Sequence, residues 1–133
     1  MYRGDLPPSD VFERLQKNAN AVLIDVRTQP EWTFVGLPQV DRLVKVAWQV
    51  YPTMDVNASF VDDVKARGLS PDTEIFLICR SGARSASAAT ALTNAGFTNC
   101  WNVAQGFEGV KDAVGRRGNT NGWKAAGLPL SQS

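Results

Sequence analysis

The sequence predicts an α/β sandwich built around a mostly parallel central sheet. Three observations predict it. Short apolar runs of strand character alternate with segments of helical periodicity along the chain, the order that lays strands in parallel with helices as crossovers. Ala21-Val22-Leu23-Ile24-Asp25-Val26 and Glu74-Ile75-Phe76-Leu77-Ile78-Cys79 are near-continuous apolar runs, as befits strands covered on both faces. With 133 residues, 44% of them hydrophobic and 20% charged, the chain suits one domain with its own core. A single domain over residues 1–133, with its core at about 8–129, is expected.

The elements follow in order. Ser9 is read as the cap of a helix whose Val11, Phe12 and Leu15 share a face. The strand at Ala21 comes next. The stretch from Thr28 to Val35 suits one or two helical turns, entered near Pro30 and stopped by Gly36. Leu43 to Trp48 is a second strand. Asn57 is read as the cap of a helix through Phe60, Val61, Val64 and Lys65, closed by Gly68. Ser70-Pro71-Asp72 is a turn, and Glu74 to Cys79 is the clearest buried strand. An alanine-rich helix starts at Ala83 or Ser85 and ends at Gly96. Asn99 to Val103 is the last strand, a surface loop surrounds 115–122, and Trp123 to Pro129 is a short docking turn.

Composition removes whole classes of function. Fourteen basic against thirteen acidic side chains leave a formal charge of +1, not the basic excess of a nucleic-acid or membrane-surface binder. No window reaches the length of a membrane span, and Met1 to Pro8 has no apolar core of a signal peptide, so a cytoplasmic address is expected. There is no histidine, which excludes Ser-His-Asp and Cys-His pairs, HExxH zinc sites and any imidazole base. Two cysteines, Cys79 and Cys100, are too few for a disulfide scaffold or an all-cysteine zinc site. No metal and no cofactor is expected.

Chemistry concentrates in Cys79-Arg80-Ser81-Gly82-Ala83-Arg84-Ser85. A cysteine ends a buried strand, a short glycine-bearing loop follows, and a helix begins. The carboxyl edge of an open α/β sheet is where ligands bind. Successive loop amides and the helix N-terminus favour negative charge, and Arg80 and Arg84 add formal positive charge. A free thiol has a pKa of about 8.5, and such surroundings commonly lower it. The expectation is a solvent-reachable nucleophile activated without histidine.

This segment closely resembles the active-site loop of rhodanese-family sulfurtransferases. Leu23-Ile24-Asp25-Val26-Arg27 resembles that family's amino-terminal signature, and Glu31 and Trp32 fall where it often has an acidic and an aromatic residue. Asn102-Val103 leading to Gly106-Phe107 resembles its final strand and turn. The resemblance implies a rhodanese-like three-layer sandwich of five mainly parallel strands flanked by helices. It also implies transfer of a sulfane sulfur from an anionic donor such as thiosulfate to a thiol or cyanide-type acceptor, with a sulfur-accepting protein as a further partner class. Cys79 would carry the persulfide. The amides of Arg80, Ser81, Gly82, Ala83, Arg84 and Ser85 would cradle its outer sulfur, while Arg80 and Arg84 attract the donor. A sulfur-carrying or binding module that relays sulfur to a protein is the alternative. Phosphatase-like chemistry is disfavoured, because four residues separate Cys79 from Arg84 where phosphatases use five, and no carboxylic acid is evident near the loop. After the signature, Gly36-Leu37-Pro38-Gln39-Val40 lacks the family's histidine and second glycine.

The remaining candidates have two readings each. Asp25 either accepts hydrogen bonds from loop amides or makes a structural contact with Arg27. Arg27 and Glu31, four apart, are expected to pair. Cys100 is read as core, with a resolving thiol as its alternative. Trp32, Trp48 and Trp123 are read as core rather than as a pocket mouth. Arg116 and Arg117 are read as a solvated loop, with recognition of an anionic donor or a protein as the alternative.

Overall fold

The computed structural model describes residues 1–132. In chain order the elements are β1 (Gly4–Leu6), α1 (Pro8–Lys17), β2 (Val22–Asp25), a π-helical turn (Glu31–Val35), β3 (Leu37–Pro38), β4 (Leu43–Lys45), β5 (Gln49–Val50), β6 (Asp55–Val56), α2 (Phe60–Lys65), β7 (Ile75–Ile78), α3 (Ala83–Asn94), β8 (Cys100–Val103) and β9 (Leu130–Ser131). Five strands form the central sheet in the order β1-β8-β7-β2-β4, and every pair in it is parallel. Two antiparallel two-stranded ribbons, β3 with β9 and β5 with β6, stand apart from it.

Period-two alternation along the strands builds the three layers. Val22, Ile24, Ile75, Leu77 and Cys79 face one side and pack with Phe60 and Val64 of α2 and Ala88, Ala89 and Leu92 of α3. Leu23, Phe76 and Ile78 face the other side, with Val11 of α1, Phe107 and Trp123. Both β2 and β7 are buried at every position, as their apolar sequences require. No helix among the described residues is long and apolar enough to cross a membrane.

Most expected elements are present, with local corrections. The first helix is entered by Pro7 and Pro8 without a side-chain cap, so Ser9 lies inside it; proline suits the first turn because its missing amide hydrogen would have no partner there. Asn57 acts one turn before the second helix, where its Oδ1 accepts from the Ser59 amide at 3.0 Å, and Ser59 occupies the cap position. The segment after Pro30 is wound wider than an α-helix, with the Gly36 amide reaching back to the Glu31 carbonyl at 3.3 Å. The fifth sheet strand is β1, whose Gly4, Asp5 and Leu6 pair with Trp101, Asn102 and Val103.

The topology fixes where a ligand can enter. From β7 the chain crosses through α3 to β8 on one side, whereas from β2 it runs to β4 on the other. The loops leaving β2 and β7 therefore part at their carboxyl ends and open the crevice characteristic of a topological switch point.

Candidate functional site

Cys79 is the first residue after β7, and strand alternation turns its side chain toward α3. Gly82 has φ +112° and ψ −15°, a left-handed conformation that glycine adopts without a Cβ penalty. That bend brings the chain round the sulfur. The Gly82 amide donates to Cys79 Sγ at 3.1 Å, and Ser85 Oγ lies 3.2 Å from it. Helix α3 begins at Ala83, so its unpaired first-turn amides and positive end lie next to the same sulfur.

A chain of hydrogen bonds fixes the residues behind the sulfur. The Ser85 hydroxyl, fully buried, reaches Asn102 Oδ1 at 2.5 Å. Asn102 Nδ2 donates to the Gly82 carbonyl at 3.1 Å and to Asp5 Oδ1 at 2.9 Å. One asparagine thus ties β1, β8, the loop and α3 together. The sequence reading missed it as a functional residue. The signal was present: an amide side chain in an otherwise buried strand needs partners, and β1 was the unseen element supplying one of them.

Two ion pairs lie at the carboxyl edge, and the expected Arg27–Glu31 pair is not one of them. Arg27 does not pair with Glu31. It turns back on Asp25, donating from Nη2 to Oδ2 at 2.8 Å and from Nε to Oδ1 at 3.0 Å, and it also holds the Gly36 carbonyl at 2.7 Å. Both residues are fully buried, with the guanidinium carbon 4.3 Å from the Phe107 ring centroid. Of the two readings of Asp25, the structural contact with Arg27 is the one formed.

Glu31 instead takes Arg84 in a two-point pair, at 2.8 Å and 2.9 Å. This bond spans the crevice from the β2 loop to the β7 loop. Burial pulls the Glu31 carboxyl upward, but Arg84 and the amide and hydroxyl of Thr28 outweigh it and hold the carboxyl below its ordinary value. For Arg84, burial lowers the pKa, but Glu31 chiefly, with smaller contributions from Cys79 and Asp25, raises it overall. Arg84 was expected as a free cation for the donor; its charge is largely taken by Glu31. A carboxylic acid does stand near the loop, contrary to the sequence reading, and the long sequence separation hid it.

Above the sulfur is a cavity of about 630 Å³ lined by Cys79, Arg80, Ser81, Ala83 and Arg84 of the loop. Glu31, Val35, Gln49 and Met54 form further walls, and Glu108, Lys111, Gly115 and Arg117 contribute from the loop after β8. Cys79 as a whole residue is only 1% exposed, so the expected open thiol is a recessed one reached through this cavity. Arg27, Asp25 and Ser85 are not among its lining residues. The loop glycine Gly106 (φ +63°) lets the chain pass against the nucleophile's backbone; a Cβ there would lie 2.7 Å from the carbonyl carbon of Arg80.

The other candidates resolve clearly. Both cysteines are free thiols. Cys100 pairs in register with Ile75, at the opposite end of β7 from Cys79, a separation of about 13 Å along the strand at roughly 3.3 Å per residue. That is too far for a disulfide. Burial, opposed by a hydrogen bond with Thr93, pushes its thiol up to about 11. Trp123 is fully buried, Trp48 packs edge-on against Phe60, and none of Trp32, Trp48 and Trp123 lines the cavity. Arg117 does line it, whereas Arg116 is exposed and does not. Among the described residues no group of three or more His, Cys, Asp or Glu could hold a metal ion.

The fold is a parallel α/β sheet with a cysteine cradled by a helix-opening loop at its switch point. The chain belongs to the rhodanese-like domain family, whose model matches residues 8–113. It is 40% identical over 119 residues to the protein RP600 of Rickettsia prowazekii, covering 89% of each chain. The crystal structure of Rv0390 from M. tuberculosis is similar throughout, with a TM-score of 0.90 and 41% identity, covering 100% of both chains. A polysulfide-sulfur transferase homodimer from Wolinella succinogenes shares the fold at 24% identity, with a TM-score of 0.68, over 97% of this chain and 78% of that one.

Proposed function

We propose that the protein is a sulfurtransferase that carries a sulfane sulfur as a persulfide on Cys79. The observation that carries this reading is the Gly82 amide donating to Cys79 Sγ at 3.1 Å, beside the start of α3 and in a residue that lines a cavity. Donors aimed at a recessed sulfur stabilise an anion there without reorganising, and covalent catalysis needs such an activated nucleophile.

With thiosulfate as donor, the Cys79 thiolate attacks the outer, sulfane sulfur. A new S–S bond forms as the donor's S–S bond breaks, and sulfite leaves with the bonding electron pair. The loop amides from Arg80 to Ser85 hold the outer sulfur of the resulting persulfide, and Arg80 draws in the anion. A thiophilic acceptor, cyanide or a thiolate, then attacks that outer sulfur and returns Cys79 to its thiolate form. No metal or cofactor enters either step. A cytoplasmic setting is part of this reading.

The test is turnover of thiosulfate and cyanide to thiocyanate and sulfite by the wild type and by Cys79→Ser. Turnover by the wild type that is lost in the variant supports the reading. Equal activity in the variant would overturn the nucleophile assignment. A wild type that accepts sulfur but does not turn over would instead favour a relay to a protein acceptor.

A further inference from the structure

Apolar side chains exposed singly and at random need no explanation, but here they gather around one opening. Among the described residues, every exposed large apolar side chain apart from Met1 lies within two positions of a residue that lines the cavity. Phe34 adjoins Val35, Val50 adjoins Gln49, Val110 adjoins Lys111 and Val114 adjoins Gly115. Met54 is itself part of the lining, with Tyr51 and Val56 on the same β5–β6 hairpin. Two positions of chain span at most about 7 Å, so all of these side chains belong to the rim. Phe34 is 81% exposed, Val114 77% and Tyr51 59%. Ladder register places Val56 opposite Gln49 and Asp55 opposite Val50. Directly opposed residues share a face, so Val56 stands on the cavity side of the hairpin and Asp55 on the other.

Charge at the same opening is unbalanced. Arg80, Arg84, Lys111 and Arg117 line it against Glu31 and Glu108. Glu31 pairs with Arg84, so Glu108 alone faces the remaining three cations. Arg116, next to Arg117, is exposed as well. Asp112 follows Lys111 in sequence but turns its carboxylate into its own loop, where it accepts from the amides of Val114 and Arg116 and from Asn119 Nδ2.

Phenylalanine, tyrosine, methionine and arginine around a recess make up the composition of a protein-binding patch. The charge decides which partner fits. A second copy set face to face would bring these cations against their own counterparts, and like charges across an interface oppose association. A flat anionic bilayer would meet the rim but not the cations that line the concavity, and each basic residue contributes only about 1 kcal/mol at such a surface. We infer that the rim is a docking surface for another protein that presents a protruding acidic segment bearing apolar side chains. The apolar side chains pack against the rim and the carboxylates meet its cations. This surface does not depend on sulfur transfer at Cys79.

The test uses two fluorescein-labelled peptides with the same phenylalanines and leucines, separated by glutamates in one and by lysines in the other. Binding is read by fluorescence anisotropy. The wild type should bind the acidic peptide about tenfold more tightly or better, with a preference that shrinks as salt is raised. Phe34→Ser and Tyr51→Ser change exposed side chains and should each weaken acidic-peptide binding by about fivefold. Arg116→Glu should cut the preference by about threefold. Equal binding of the two peptides, or binding that survives both serine variants, would overturn the proposal. So would a wild-type dimer that Phe34→Ser abolishes in analytical ultracentrifugation, which assigns the rim to a second copy. Phe34-dependent sedimentation with phosphatidylserine vesicles would overturn it in favour of a bilayer. Both serine variants should turn over thiosulfate as the wild type does. Absence of turnover in all three counts against the sulfurtransferase reading alone and leaves the docking surface to the peptides.

Discussion

Replacing Glu31 with glutamine removes the counter-charge that ties the two halves of the crevice together. The wild-type pair makes two short bonds, at 2.8 Å and 2.9 Å, and its side chains are 17% and 18% exposed. A hydrogen bond to a charged group contributes about 1.5–3 kcal/mol. An exposed pair contributes about 0–1 kcal/mol, whereas breaking a buried one costs about 3–5 kcal/mol. This pair lies between those limits, and glutamine keeps one oxygen for Thr28 and Arg84, so Glu31→Gln should cost about 2 kcal/mol at neutral pH. The folded-state carboxyl titrates below its ordinary value. Its contribution is therefore fully present above the unfolded pKa of about 4.3 and is lost as pH falls through the lower, folded value. Urea unfolding of the wild type, Glu31→Gln, Arg84→Met and the double variant, at pH 7 and under acid conditions, measures the coupling directly. A coupling below about 0.5 kcal/mol at pH 7, or one that does not shrink in acid, would refute the reasoning.

Three further outcomes follow from the same geometry. Ser85→Ala leaves the Asn102 Oδ1 it serves without that partner in a buried site and should destabilise the fold by about 1–3 kcal/mol, as read by urea unfolding. Gly106→Ala places a Cβ against the Cys79–Arg80 backbone at a positive φ and should destabilise the fold by about 2–4 kcal/mol, measured by denaturant unfolding. Cys100→Ser should leave the rate and extent of sulfur loading within about twofold, because that thiol lies some 13 Å from Cys79 along the strand; a large loss in intact-mass assays would revive a resolving role.

The strands were legible because burial on both faces leaves a continuous apolar run, as in Val22–Asp25 and Ile75–Ile78. The loop was legible because cysteine, glycine and a helix start lie within a few residues of one another. The fifth strand was not, since Gly4–Leu6 takes its strand character from pairing with β8 rather than from its own sequence. The partner of Glu31 was misassigned for a related reason. A four-residue spacing favours Arg27 with Glu31 on a regular helix, but Arg27 precedes the π-helical turn and is buried against Asp25. Glu31 meets Arg84 across 53 positions, a proximity that only the sheet order creates. Asn102 and the cations of the last loop likewise depend on tertiary placement, since nothing local brings them to the sulfur.

On the proposed function, Cys79 holds transferable sulfur. Intact-mass and peptide-level spectrometry of the protein after brief thiosulfate treatment tests it most directly. A gain of one sulfur atom is expected on the peptide containing Cys79, removed by cyanide and missing in Cys79→Ser. No gain, or one that survives the substitution or resides on Cys100, would contradict it.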